Sequence, residues 1–140
     1  MVTIFYALVL NLIKCTVTFL CTILIGWSAL QNQPKEGFSS LLFISLGACL
    51  CMIASINLSP ALLSSPGHML EFVMLGIALL GIMVVFRQKG TLISIRQAGS
   101  IWFCGITGLA VGSGLFIEGI LVSGGAFLVL KWFDRYLKIT

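Results

Sequence analysis

Three charged side chains stand out in this 140-residue chain because their neighbours are apolar: Lys14 in VLNLIKCTVTF, Glu71 ahead of FVMLGIALLG, and Glu118 in LFIEGILV. A charge at the centre of a membrane helix costs about 2.5 to 3.5 kcal/mol on insertion scales, so it takes a partner. An ion pair between Lys14 and Glu118 or Glu71, with Asn11 and His68 alongside, is one arrangement. Separate reach of each charge to a headgroup layer is the other. Glu71, Glu118 and Asn11 also carry the oxygen atoms a divalent cation needs, but Lys14 in the same cluster would repel the ion, so no metal is expected. Catalysis finds no footing. His68 is the sole histidine, no Ser-His-Asp set has workable spacing, and H-E-x-x-H, P-loop and dinucleotide motifs are absent. A non-enzymatic protein without cofactors is expected.

The elements that must hold these residues follow from composition. Hydrophobic residues make up 59% of the chain and charged ones 9%, with a mean hydropathy of +1.16. A soluble domain carries about 25% charged residues to cover its surface. Lipid is therefore the expected solvent, and the class an all-α integral membrane domain. The net charge of +4 comes from cations in short turns between apolar runs, which sets topology rather than binding nucleic acid. Five cysteines lie within apolar runs without a C-x-x-C pair, and act as small apolar side chains. The first run lacks a basic leader and a small-residue cleavage site, so it reads as a retained helix.

Five helices are expected, over about residues 4–30, 38–58, 69–86, 97–111 and 115–133, as one transmembrane domain. Gln31 to Lys35 with Pro34, Ser59 with Pro60, and Ser64 to Gly67 are read as breaks, with His68 in a loop. The Gly112-Ser113-Gly114 cluster divides the last apolar stretch and leaves a short fourth helix. With the N-terminus outside, Lys35, then Arg87, Lys89 and Arg96, then Lys131, Arg135 and Lys138 face the cytosol: seven of the eight Lys and Arg. Trp27, Trp102 and Trp132 then lie near the inner interface. Gly76, Gly81, Gly105, Gly108 and Gly112 offer close helix contact, since small residues let backbones approach in lipid.

These residues carry a resemblance. Gly26, Gly37 eleven positions on, and Leu46-Gly47-Ala48 are similar to the first half of the MgtC/SapB-type bacterial membrane domain. Gly76, Leu80, Gly81, Val84, Val85 and Arg87 resemble its G-x-G-F-L-G-A-G-V-I-x-R stretch. Ala98, Ser100, Ile101 and Trp102 follow the next motif, and Leu109 to Phe116 follow its L-A-V-G-x-G. Lys14 falls where that family commonly has a basic residue. Ser28, Ala29, Ser39 and Ser40 depart from its Glu-Arg and Arg-Thr positions, and Ala78 and Met83 replace two glycines. The resemblance covers about residues 14–133 and implies a short, divergent inner-membrane protein linked to low magnesium or survival in host cells. It implies a regulator that contacts other membrane proteins through Gly-rich helix faces. Arg87, Lys89 and Arg96 would form a cytoplasmic basic surface for docking or for anionic lipid. A small oligomeric transporter or channel subunit around Lys14, Glu71 and Glu118 is the alternative.

Overall fold

In the computed structural model, which describes residues 2–29, 36–62, 66–87, 89 and 92–137, the apolar runs become helices. Among these residues there are five: α1 (Val2–Ala29), α2 (Glu36–Leu62), α3 (Pro66–Arg87), α4 (Leu92–Ser113) and α5 (Phe116–Leu137). Three contain stretches long and apolar enough to cross a membrane: Ile4–Ser28, Phe38–Asn57 and Leu70–Arg87. Pro34, Lys35, Ser64, Ser65 and Lys138 lie outside the described residues.

Four helix boundaries correct the sequence reading. α4 begins at Leu92 rather than near Gln97, so Arg96 is helical and the fourth helix is not short. Its 22 residues rise about 33 Å, comparable with a hydrocarbon core. α2 continues through Pro60 to Leu62; a proline this close to a helix end gives up one backbone hydrogen bond with little helix left to disrupt. α3 starts at Pro66, whose fixed φ suits the first helical position, so His68 belongs to a helix and not to a loop. α5 runs on to Leu137 and carries Lys131 and Arg135 within it.

α4 is the hub and touches each of the other four helices. The facing residues give the directions. Gly108 meets Ser45 and Gly112 meets Cys49, so α2 and α4 run parallel. Gly105 faces Ile77 and Gly81 faces Trp102, so α3 is antiparallel to α4. α1 and α5 are also antiparallel to it, Lys14 reaching Gly112 and Gly119 facing Val111. One end of the bundle therefore gathers the C-terminal ends of α1, α3 and α5 with the start of α4. Arg87, Lys89, Arg96, Lys131 and Arg135 lie at that end.

Polarity across the bundle is inverted relative to a soluble fold. Fully buried positions include Thr18, Thr22, Ser45, Ser100, Thr107 and Ser123. Large apolar side chains such as Phe5, Phe43, Phe72, Phe86, Ile117 and Leu121 point outward. Each buried hydroxyl must be satisfied without water, and most bond back within their own helix. Thr18 donates to Lys14 O, Ser100 to Arg96 O and Thr107 to Phe103 O, at 2.9, 3.0 and 2.7 Å.

Candidate functional site

The C-terminus of α4 ends on a left-handed backbone position that favours glycine. Gly114 has φ +98°, its N–H donates to Val111 O at 3.0 Å, and Leu115 N–H donates to Ala110 O at 3.0 Å. Those two bonds leave the Gly112 carbonyl, one of four at the helix end without an intrahelical donor. The half-buried Lys14 supplies the missing donor, its Nζ lying 3.0 Å from Gly112 O. The antiparallel course of α1 brings it there. An ammonium at a helix C-terminus also meets the negative end of the macrodipole. The partner of this lysine on an apolar helix is thus a backbone carbonyl.

Asn11 lies one turn before Lys14 and shares a cleft of about 180 Å³ with it, walled on the α2 side by Ile53, Ile56 and Asn57. Asn57 Nδ2 donates to Ile53 O at 2.8 Å. The structure unites Asn11 and Lys14 but not the two carboxylates. Glu71 is exposed and pairs with His68 one turn earlier, Nδ1 to Oε2 at 3.5 Å. Glu118 is exposed in the first turn of α5, where a negative charge suits the helix N-terminus. Neither reaches Lys14 as an ion pair. Among the described residues no three His, Cys, Asp or Glu side chains converge.

A second cation closes a second helix end. Arg96 Nη2 donates to the Ser28 carbonyl in the last turn of α1. Arg96 and Lys14 therefore fasten α1 to α4 about 14 residues apart along α1, each through a helix-terminal carbonyl. Exchange of Arg96 for Met removes a charge-assisted hydrogen bond, worth about 1.5 to 3 kcal/mol. Thermal unfolding in detergent is expected to show that loss, while Arg96→Lys retains part of the stability. Equal melting of Arg96→Met and wild type would refute the fastening role.

The MgtC family profile matches residues 15–138. The chain belongs to the MgtC family. A protein of Synechocystis sp., described as uncharacterized, is 27% identical over 120 residues, covering 86% of this chain and 49% of that protein. The chain thus spans about half the length of this relative. No solved structure matches it.

Within this MgtC-family chain the five singled-out glycines differ in surroundings. A Cβ on Gly108 would run into the Ser45 carbonyl, and one on Gly112 would meet Cys49 O at 2.8 Å and Met52 Cβ at 2.9 Å. On Gly105 it would press on Ile77 Cδ1 at 2.5 Å, a side-chain tip that can move. Gly81 has ordinary contact with Trp102 at 3.5 Å, and Gly76 has open space. Trp102 lies ten residues into α4, about 15 Å from its start, and packs over Gly81. Trp27 and Trp132 are exposed near the ends of α1 and α5. Arg87 and Lys89 are exposed at the α3–α4 turn, whereas Arg96 is directed to α1.

One feature escaped sequence reasoning. The Thr22 hydroxyl lies 2.7 Å from that of Ser45, a polar link between α1 and α2. Thr18 and Thr22 stand four residues apart among apolar neighbours, a spacing that could have flagged a buried seam. A Cβ on Gly119 would meet Val111 Cγ2 at 2.6 Å. Gly119 stands three residues after Phe116, where α5 begins against the end of α4.

Proposed function

We propose that this MgtC-family chain is a five-span bacterial inner-membrane protein, N-terminus outside and C-terminus in the cytosol. It acts without catalysis, as a regulator that contacts other membrane proteins through its helix faces during magnesium limitation or stress and virulence adaptation. The observation that carries the reading is an apolar exterior with basic residues collected at one end of the bundle. That end suits the cytosolic face under the positive-inside rule. Family membership supports the regulatory role. Gly105, Gly108, Gly112 and Gly119 are occupied within the chain, which leaves the outer faces of α3 and α5, with Gly76, Gly124 and Gly125, for partners.

A Lys89→Cys variant, with the native cysteines replaced, tests the orientation. A membrane-impermeant maleimide is expected to label it in inverted vesicles and not in intact spheroplasts. Labelling in intact spheroplasts would reverse the topology. For the role itself, a membrane protein is expected to co-purify with the chain, and liposomes holding the chain alone to pass no cations. A cation flux abolished by Glu118→Gln would favour a transporter instead.

A further inference from the structure

Between α3 and α4 an apolar groove of about 370 Å³ opens on the outer surface of the bundle. Ala78, Gly81, Val85 and Phe86 form its α3 wall, and Ala98 and Trp102 its α4 wall. The α3 residues recur at helical spacing along one face, so the groove runs lengthwise along the helix pair. Small residues make its floor: Ala78, Gly81 and Ala98 leave the space, and Trp102 and Phe86 border it. Phe86 lines it at the α3–α4 end and is followed directly by Arg87, with Lys89 three residues after Phe86. Lys89 takes a left-handed backbone, φ 54°, and its N–H donates to Phe86 O at 3.2 Å, which ties it to a residue that lines the groove. Both cations are exposed, and unlike Arg96 and Lys14 neither closes a helix end on another helix. An apolar groove with two exposed cations just past its Phe86 end matches one amphiphile: a long hydrocarbon chain with a negative head.

We propose that the α3–α4 groove is a binding site for an anionic phospholipid, one acyl chain lying over Gly81 beside Trp102 and the phosphate held by Arg87 and Lys89. Charge complementarity selects this occupant over a neutral lipid, since each cation near a membrane surface favours an anionic headgroup. The site rests on α3 and α4 spanning the bilayer, and not on the regulatory role.

Native mass spectrometry of the delipidated full chain, titrated with phosphatidylglycerol or phosphatidylcholine of identical acyl chains, tests it. The first phosphatidylglycerol is expected to bind roughly tenfold tighter than phosphatidylcholine. Arg87→Gln with Lys89→Gln is expected to bring the two lipids to near-equal affinity, whereas Lys131→Gln with Arg135→Gln leaves the preference intact. Ala78→Phe and, from the opposite wall, Ala98→Phe fill the groove and weaken binding of both lipids; circular dichroism identifies which of them folds. Equal binding by wild type, a preference that survives loss of both cations, or undiminished binding in a folded groove-filled variant each overturns the site. So does a dimer that either Phe variant dissociates, which would make the occupant a second copy. Correct maleimide topology alongside any of these failures leaves the membrane reading standing.

Discussion

Gly108→Ala is expected to destabilise this chain severely, while Gly76→Ala costs nothing measurable. In a helix of neutral surroundings both changes favour folding by up to about 1 kcal/mol, because alanine is the better helix former. The surroundings reverse the sign at Gly108. Its added methyl would meet the Ser45 carbonyl, part of the α2 backbone that no rotamer change can move aside. The two helices must separate, and α4 carries with it the contacts to α1, α3 and α5. Overpacking of this kind costs about 1 to 3 kcal/mol or more, a sizeable part of an ordinary fold's stability. Gly112→Ala belongs to the same class, since Cys49 O stands at 2.8 Å. Gly105→Ala should be milder because Ile77 Cδ1 can rotate away, and Gly81→Ala milder still. Thermal unfolding in one detergent is expected to rank the five variants in that order. Gly76→Ala as damaging as Gly108→Ala would mean that α4 is not the packing hub.

That ranking was invisible in the sequence, although the glycines themselves were not. Small-residue spacing sets Gly108 and Gly112, four residues apart, off from Gly76, which has Phe72 and Leu80 at that distance, but it does not say what lies opposite each glycine. The register between helices supplies that, and register depends on which residues of a distant helix face each other. The helices were legible because an apolar run bounded by Pro, Ser and cations has few other solutions in lipid. The start of α4 was not, because Arg96 reads as a turn cation when its acceptor, the Ser28 carbonyl, is unknown. Lys14 was legible as an anomaly and its partner was not. Side-chain reasoning searches for a carboxylate, and a main-chain carbonyl leaves no mark in the composition. The family resemblance was readable from Gly26, Leu46-Gly47-Ala48 and LAVGSGLF, and the profile match over residues 15–138 agrees with it.

The same logic makes Lys14 the most informative charge to change. Lys14→Met should lower stability by about 1 to 3 kcal/mol, because the Gly112 carbonyl loses its donor and the α4 dipole its counter-charge. Lys14→Arg keeps both a donor and a charge, so it should recover most of the loss. Lys14→Glu should be worse than Met, since a carboxylate would face a carbonyl and the negative end of a helix. If an ion pair with Glu118 held Lys14, adding Glu118→Lys would rescue Lys14→Glu. The geometry predicts the opposite: Glu118 is exposed in the first turn of α5, and a lysine there opposes that helix's positive end. The double variant should therefore melt no higher than Lys14→Glu alone, and a clear rescue would restore the carboxylate as the partner. The Met variant should also loosen the Gly114 turn, since a Cβ on Gly114 would lie 4.0 Å from Lys14 Nζ. Faster amide exchange at Leu115, the donor to Ala110 O, is the local sign to measure. A lysine held by a carbonyl acts as a strut between α1 and α4, and its loss should be felt first at the turn into α5.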